Sequence, residues 1–236
     1  MESTTTPISV PRQSVGATRT EASPAELGTV TVDPFVLGLP LIALGTVALG
    51  LQMVGYVNVA SSGSPLAIVV AASGLGLLIS TGAAIGLDIS PVSSIWSNGR
   101  SLPTVVLGAV AAFFLSYGAL ILGLVHGWFG IAPANVEHTV SSFEISWLVV
   151  FAFVGLASLR LPVLFTLLFA TFEVVLALLL IGTLKPSTTA DNIAGVLEMG
   201  IAVASGYVFL AVASAASGGR EFPIGRPILA RIAGPR

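Results

Sequence analysis

The sequence contains no cysteine and very few charged residues, and both absences limit what the protein can be. Of its 236 residues, 9 are Lys or Arg and 11 are Asp or Glu. Charged residues thus make up 8% of the chain, against roughly 25% in a typical soluble protein. The absence of cysteine excludes disulfide bonds, thiolate metal sites and a cysteine nucleophile. A surface with so little charge would not stay dispersed in water, which argues against a soluble domain.

Motifs that carry catalytic or ligand-binding chemistry are also missing. The sequence has no glycine-rich phosphate loop followed by Lys and Ser or Thr, no HExxH, no GxSxG and no run of basic residues. His126 and His138 are too few and too far apart to indicate a metal site. We therefore expect no enzymatic activity, no metal, no cofactor and no nucleic-acid partner.

What the sequence does have is a series of six apolar stretches, each close to the ~20 residues that a helix needs to cross lipid hydrocarbon. They cover residues 34–56, 65–87, 103–125, 140–159, 162–184 and 193–216. Pro34, Pro65, Pro103 and Pro162 open four of them and are interpreted as helix starts. Continuous runs favour helices over the short alternating strands of a membrane barrel. The predicted fold is an all-α membrane protein, a compact bundle of six transmembrane helices.

The flanking composition predicts three regions and an orientation. Residues 1–32, rich in Ser, Thr and Pro, are expected to form a disordered cytoplasmic tail, residues 33–216 the six-helix transmembrane domain, and residues 217–236 a cytoplasmic C-terminal tail. If the spans alternate sides, Lys185 is the only one of the nine Lys and Arg residues opposite the termini. Because Lys and Arg accumulate on the cytoplasmic side, both termini are predicted to be cytoplasmic, in a cell membrane.

Small residues and tryptophans give weaker indications about packing. Small side chains recur every four residues in several spans, for example at Ala72, Gly76 and Ser80, which predicts closely packed helices but leaves open whether a pore runs between them. Trp96, Trp128 and Trp147 lie near predicted span ends and are interpreted as anchors at the membrane surface.

Gln52, Glu173 and Glu198 are strongly polar side chains within the predicted spans, and Ser141, Ser142 and Glu144 dilute the start of the fourth span. An ionised carboxylate in hydrocarbon costs at least ~2.5 kcal/mol, so Glu173, near the middle of the fifth span, is the first candidate for function. It either lines a water-containing pathway and exchanges a proton, or is a neutral carboxyl that joins two helices by a hydrogen bond. Glu198, close to the predicted start of its span, is interpreted as an interfacial carboxylate near a helix N-terminus, with a pathway role as the alternative.

Several segments resemble one family of membrane transporters. Residues 33–39 read Asp-Pro-Phe-Val-Leu-Gly-Leu, similar to the Asn-Pro-Ala-Pro-Leu-Gly-Leu signature of the acetate uptake transporter family, the succinate/acetate permease group. Similarity recurs at Phe113-Phe114, at residues 176–182 and at Pro223-Ile224-Gly225. The segments lie in the family's order and extend over residues 33–226.

The resemblance implies a pore through each protomer, a homo-oligomeric ring that is commonly a hexamer, and passage of small monocarboxylates, chiefly acetate and possibly succinate, often with a proton. It also implies a vestibule near the head of the first span and a hydrophobic constriction inside the bundle. With the two polar candidates added, the predicted pathway residues are Asp33, Pro34, Leu37, Gly38, Gln52 and Glu173, and the predicted constriction residues are Ile42, Val110 and Phe172.

Three functions remain open from the sequence. The first is a proton-coupled transporter or channel for a small carboxylate, with lipid and protons as its other partners. Because an ionised Glu173 would repel an anion at the constriction, this function requires its carboxyl to be protonated, paired or turned away. The second is a channel for a small neutral solute or cation. The third is a membrane scaffold subunit that conducts nothing.

Overall fold

The structure is a computed structural model that describes residues 34–87, 101–217, 219–220, 222–226 and 228. These residues form six α-helices and one short 3-10 turn at Pro133–Asn135. The helices are α1 (Pro34–Met53), α2 (Val59–Leu87), α3 (Ser101–His126), α4 (Val136–Ser158), α5 (Val163–Leu184) and α6 (Thr188–Ala216).

By length and composition, α2 to α6 can each cross a membrane, and α1 contributes a shorter apolar stretch, Leu37–Met53. The predicted all-α membrane bundle is confirmed. Residues 1–32, predicted as a disordered tail, and Trp96 lie outside the described residues.

Helices α2, α4 and α6 each begin four or more residues before the predicted span. Helix α2 begins at Val59, so Pro65 lies inside it, and its interpretation as a helix start was wrong. Membrane helices tolerate an internal proline when the surrounding helices accommodate the freed carbonyl. Helix α6 begins at Thr188, five residues before the predicted span, because the Ser187 hydroxyl accepts the backbone N–H of Ala190 at 3.3 Å and caps the helix. The apolar pattern alone does not show such a polar first turn.

The helices lie around the bundle in chain order. Helix α1 packs against α2 and α6, α2 packs against α3, and α5 packs against α4 and α6. Helices α3 and α4 also meet, but with far fewer backbone approaches than the other sequential neighbours. The bundle therefore has one loosely packed seam, between α3 and α4.

Contacts between helix ends fix the direction of each helix. A hydrogen bond of 3.0 Å joins Ser64, early in α2, to Nε2 of His126, the last residue of α3. Another of 3.0 Å joins Thr183, near the end of α5, to Glu144, in the first half of α4. Helices α1, α3 and α5 thus run in one direction and α2, α4 and α6 in the other. We call the end that holds the α3–α4 connection, residues 127–135, the α3–α4 end.

Helices α2 and α3 approach each other backbone to backbone. A Cβ atom added at Gly74 would lie 2.7 Å from the backbone N of Leu115 and 3.0 Å from the carbonyl O of Ala111. One added at Gly118 would lie 2.9 Å from the carbonyl O of Ala67. In lipid, where no hydrophobic force draws helices together, such close contact supplies the packing energy.

The chain after α6 folds back onto the start of α5. The backbone N–H of Leu164 donates to the carbonyl of Ile224 at 3.4 Å, and the Tyr207 hydroxyl donates to the carbonyl of Pro223 at 3.1 Å. Gly225 has a φ of +81°, and a Cβ there would overlap the Val163 side chain. The Pro223-Ile224-Gly225 segment is therefore a docking element that closes this end of α5.

We expect Gly225→Ala to lower the melting temperature more than Gly127→Ala does. Both glycines have positive φ, which costs a non-glycine residue roughly 1–2 kcal/mol, but only Gly225 lies against another side chain, since Gly127 has no neighbouring atom within 4 Å. Thermal unfolding of the two purified variants in the same detergent measures the difference. Equal melting temperatures would show that the docking of this segment contributes no stability.

Candidate functional site

Aromatic side chains fill the seam between α3 and α4 and extend to α5. The Phe113 ring centre lies 5.4 Å from that of Trp147, 5.8 Å from that of Phe151 and 5.2 Å from that of Phe172, all edge to face. Phe151 and Phe172 are 4.6 Å apart, and Phe143 packs against Phe113 at 6.2 Å. We call these five residues the aromatic cluster. Their long side chains bridge helices whose backbones stay apart.

A group of polar side chains lies next to the aromatic cluster, toward the α3–α4 end. Its link is Tyr117, one turn after Phe113 on α3, whose ring stacks on Phe113 at 5.7 Å. Nε2 of Gln52 donates to the Tyr117 hydroxyl at 3.3 Å, and the Thr183 hydroxyl donates to Oε1 of Glu144 at 3.0 Å. With Glu198 these side chains form the polar cluster: Gln52, Tyr117, Glu144, Thr183 and Glu198.

Glu198 is one of the most deeply buried side chains of the bundle. Glu198 is 1% exposed and lies about three turns into α6. It packs against α1, where a Cβ added to Gly50 would lie 3.3 Å from the Cβ of Glu198. The carboxyl groups of Glu198 and Glu144 both lie within electrostatic range of the Tyr117 hydroxyl. The interpretation of Glu198 as an interfacial carboxylate was wrong, because α6 starts earlier than the apolar pattern indicates.

The polar cluster contains three buried acceptors without a hydrogen-bond partner among the described residues: Oε1 of Gln52, Oε2 of Glu144 and Oε2 of Glu198. None of the six helices contains Lys or Arg, so no side chain of either type within the helices balances the two carboxyls. A buried acceptor that stays unpaired carries the full cost of its lost hydration. This arrangement suits groups that bring protons, either as a protonated carboxyl or on a solute.

The three predicted constriction residues lie in or against one hydrophobic core. Val110 and Phe172 are 7% and 6% exposed, and Ile42 is half-buried against the same core. Each lies between two and three turns into α1, α3 or α5, helices that run in the same direction, so their depths in the bundle are similar. Their role as a constriction stays a prediction.

The signature residues have different surroundings. Asp33 lies outside the described residues, and Pro34 is the first residue of α1. Leu37 is 53% exposed on the outside of the bundle. A Cβ on Gly38 would lie 2.7 Å from Cδ2 of Leu107, so helix packing is sufficient to explain this glycine. That these residues line a pathway stays a prediction.

Glu173 lies at mid-height on α5, apart from the polar cluster. Its neighbour Phe172 points into the core, whereas Glu173 itself is half-buried. Its Oε1 is buried and has no hydrogen-bond partner among the described residues. Gln52, near the end of α1, pairs instead with Tyr117 on α3. The structure thus brings Gln52, but not Glu173, into the polar cluster.

Sequence reasoning missed Tyr117, Glu144 and Thr183 as site residues. Glu144 had a usable signal, since an acid nine residues into a helix that starts at Val136 is an intramembrane acid like Glu173. It was passed over because Glu144 was interpreted as diluting the start of a span that begins at residue 140. Trp147, interpreted from the sequence as near a span end, lies in the middle of α4 and packs edge to face on Phe113.

Comparison with known proteins finds a likeness among solved structures. The sequence matches no protein-family profile and no curated protein. Among solved structures, the chain is similar to the bacterial acetate channel SatP, with a TM-score of 0.63 and 20% sequence identity over 82% of this chain and 99% of that one. The chain has the fold of this acetate channel. At 20% identity the likeness concerns the arrangement of helices and not the chemistry of the aromatic and polar clusters.

Proposed function

We propose that the protein is a transporter or channel for small monocarboxylates, acetate above all, in the cell membrane, with both termini cytoplasmic. The observation that carries this proposal is the fold, shared with an acetate channel over 82% of the chain. Proton coupling, passage of succinate and assembly into a homo-oligomer, a hexamer by the family resemblance, belong to the same proposal.

The geometry of the seam supports a path for a small solute. Between α3 and α4 the bundle is held mainly by contacts between side chains. Side chains can change conformation to let a solute pass, whereas a close backbone contact could open only if a helix moved. The polar cluster lies on one side of the aromatic cluster. A path through the seam would therefore pass from hydrogen-bonding groups to a hydrophobic barrier that strips water from the solute, and Ile42, Val110 and Phe172 would contribute to that barrier.

Flux measurements test the proposal directly. The purified protein reconstituted in liposomes should take up labelled acetate faster than protein-free liposomes, and an inward proton gradient should increase the rate. Lactate, butyrate and succinate in the same assay define the size limit. Absence of acetate uptake by protein that elutes as one symmetric peak in detergent would contradict the proposed substrate.

Glu173 remains a proposed pathway residue, and its role has a separate test. We expect Glu173→Gln to change the pH dependence of acetate uptake, because Gln has a similar shape but cannot bind or release a proton. The measurement is initial uptake over a range of pH for both proteins. The same pH profile in both would leave Glu173 as a structural residue only.

A second function is favoured by one observation, the surplus of acids in the bundle. Glu144 and Glu198 are buried and the helices contain no Lys or Arg, which suits a cation or a neutral solute better than a free anion. Uptake of ammonium or urea in the same liposomes, without uptake of acetate, would support this function over the first.

A further inference from the structure

The polar cluster offers mainly acceptors to an incoming solute. Oε1 of Gln52, Oε2 of Glu144 and Oε2 of Glu198 are buried and have no partner in the described part of the chain, and one N–H of the Gln52 amide is engaged with Tyr117. A carboxylate anion brings further acceptors and no proton, so it would meet like charge and unpaired lone pairs. It becomes compatible with this cluster only if the cluster holds protons.

We propose that Glu198 and Glu144 are exchangeable proton sites and that Glu198 gives its proton to the carboxylate of the solute, which then crosses the aromatic cluster as a neutral acid. In this step the O–H bond of the Glu198 carboxyl breaks and a new O–H bond forms on a carboxylate oxygen of the solute. The Glu198 carboxylate then regains a proton from water at the α3–α4 end. The transfer to the solute rests on the proposed function, whereas the proton sites do not.

The positions of the two acids agree with these roles. Glu144 is 4% exposed, its Oε1 is held by Thr183, and Asp191, in the first turn of α6, acts on it electrostatically. Asp191 itself lies against Gly182, near the end of α5. Glu144 is therefore the acid nearer the α3–α4 end, and Glu198 lies deeper. Protons from water would reach Glu144 first.

The groups around the cluster include no Lys or Arg within the helices. The titratable side chains that face it are Tyr117 from α3, Glu144 from α4, and Asp191 and Glu198 from α6. Helices α1 and α5 contribute the neutral Gln52 and Thr183. The nearest Lys or Arg in sequence to these residues is Lys185, which is exposed just after α5.

Infrared spectroscopy of the protein in lipid tests the proton sites without any transport measurement. We expect a carbonyl band of a protonated carboxylic acid near neutral pH that disappears at alkaline pH, is reduced in Glu198→Gln and is unchanged in Glu137→Gln. Glu137 is the matched control because it is exposed in the first turn of α4. Glu198→Asp, which keeps a carboxyl, should retain a shifted band and is informative if the Gln variant fails to fold. The same titrating band in wild type and Glu198→Gln would overturn the proposal.

Acetate uptake in liposomes tests the transfer step. We expect Glu198→Gln to lower uptake at neutral pH by about a hundredfold, the low end for loss of a proton-transfer group, and to flatten its pH dependence, whereas Glu137→Gln matches wild type. Normal uptake and an unchanged pH profile in Glu198→Gln would overturn the transfer step. If wild type shows the titrating band but takes up no acetate, the proton sites are supported, while the transfer to acetate and the proposed substrate are both contradicted.

Discussion

Replacing Phe113 by alanine should open the aromatic cluster and weaken the selection of solutes by size. Phe113 is 1% exposed and is in ring contact with Phe114, Tyr117, Phe143, Trp147, Phe151 and Phe172. Removing its ring takes away the side chain that joins α3 to α4 and α5. We expect the ratio of acetate to butyrate uptake to fall about tenfold, equivalent to ~1.4 kcal/mol of lost discrimination.

The same change should reduce stability, but by less than in a soluble protein. A buried Phe→Ala change in water-soluble cores costs about 3–5 kcal/mol, part of which is transfer of the ring from water. Between membrane helices the contribution from transfer out of water is absent and only the loss of packing remains. We therefore expect Phe113→Ala to lower the free energy of unfolding by about 2 kcal/mol. Unfolding of the reconstituted protein by SDS, followed by circular dichroism, measures this value.

Two variants separate the effect of the seam from a general loss of an aromatic side chain. Phe153→Ala removes a ring that is 69% exposed on the outer face of α4, and it should change neither selectivity nor stability. Phe113→Leu keeps much of the bulk and should lie between wild type and Phe113→Ala. If Phe113→Ala folds and keeps the wild-type acetate to butyrate ratio, the aromatic cluster is not the barrier that solutes cross.

Gly74→Ala should strongly destabilise the bundle. Its Cβ would lie 2.7 Å from the backbone N of Leu115, and a backbone atom can retreat only if α2 and α3 move apart. Overpacking commonly costs about 1–3 kcal/mol, and we expect the upper half of that range here. Unfolding by SDS in mixed micelles gives the change in the free energy of unfolding.

Gly82→Ala is the matched control for Gly74→Ala. Gly82 lies on the same helix and is exposed, with no atom within 4 Å of an added Cβ. Because alanine favours helix over glycine, this change should stabilise the protein by about 0.5–1 kcal/mol. Opposite signs for the two variants would confirm the close α2–α3 contact. Equal effects would contradict it.

The fold was largely predictable from the sequence because long apolar runs in a chain with few charges leave little alternative to membrane helices. The helix ends were less predictable. The first turn of α6 contains Thr188, Thr189 and Asp191, which are too polar to be counted in an apolar run. They are helical because Ser187 caps the helix just before them. That shift by five residues moved Glu198 from the expected interface into the buried polar cluster.

Contacts between distant helices could not be predicted from one sequence. Gln52 and Tyr117 are 65 residues apart, and Glu144 and Thr183 are 39 apart, so no local spacing indicates that they pair. Gly74 on α2 approaches the backbone of α3, and Gly118 on α3 approaches the backbone of α2. Neither glycine belongs to the stripes of small residues, spaced every four positions, from which close packing was predicted. Helix rotation decides which small residue faces a neighbour, and rotation depends on the assembled bundle.

The seam between α3 and α4 gives the two sides of the bundle different tolerance to mutation. Where α2 meets α3 backbone to backbone, one extra methyl group displaces a helix, so substitutions there are restricted to the smallest residues. Across the seam, ring contacts make most of the connection, and a change of one ring for another alters side-chain packing rather than a backbone contact. A protein built in this way can acquire a new solute preference by single substitutions in α3, α4 or α5 while its scaffold stays the same.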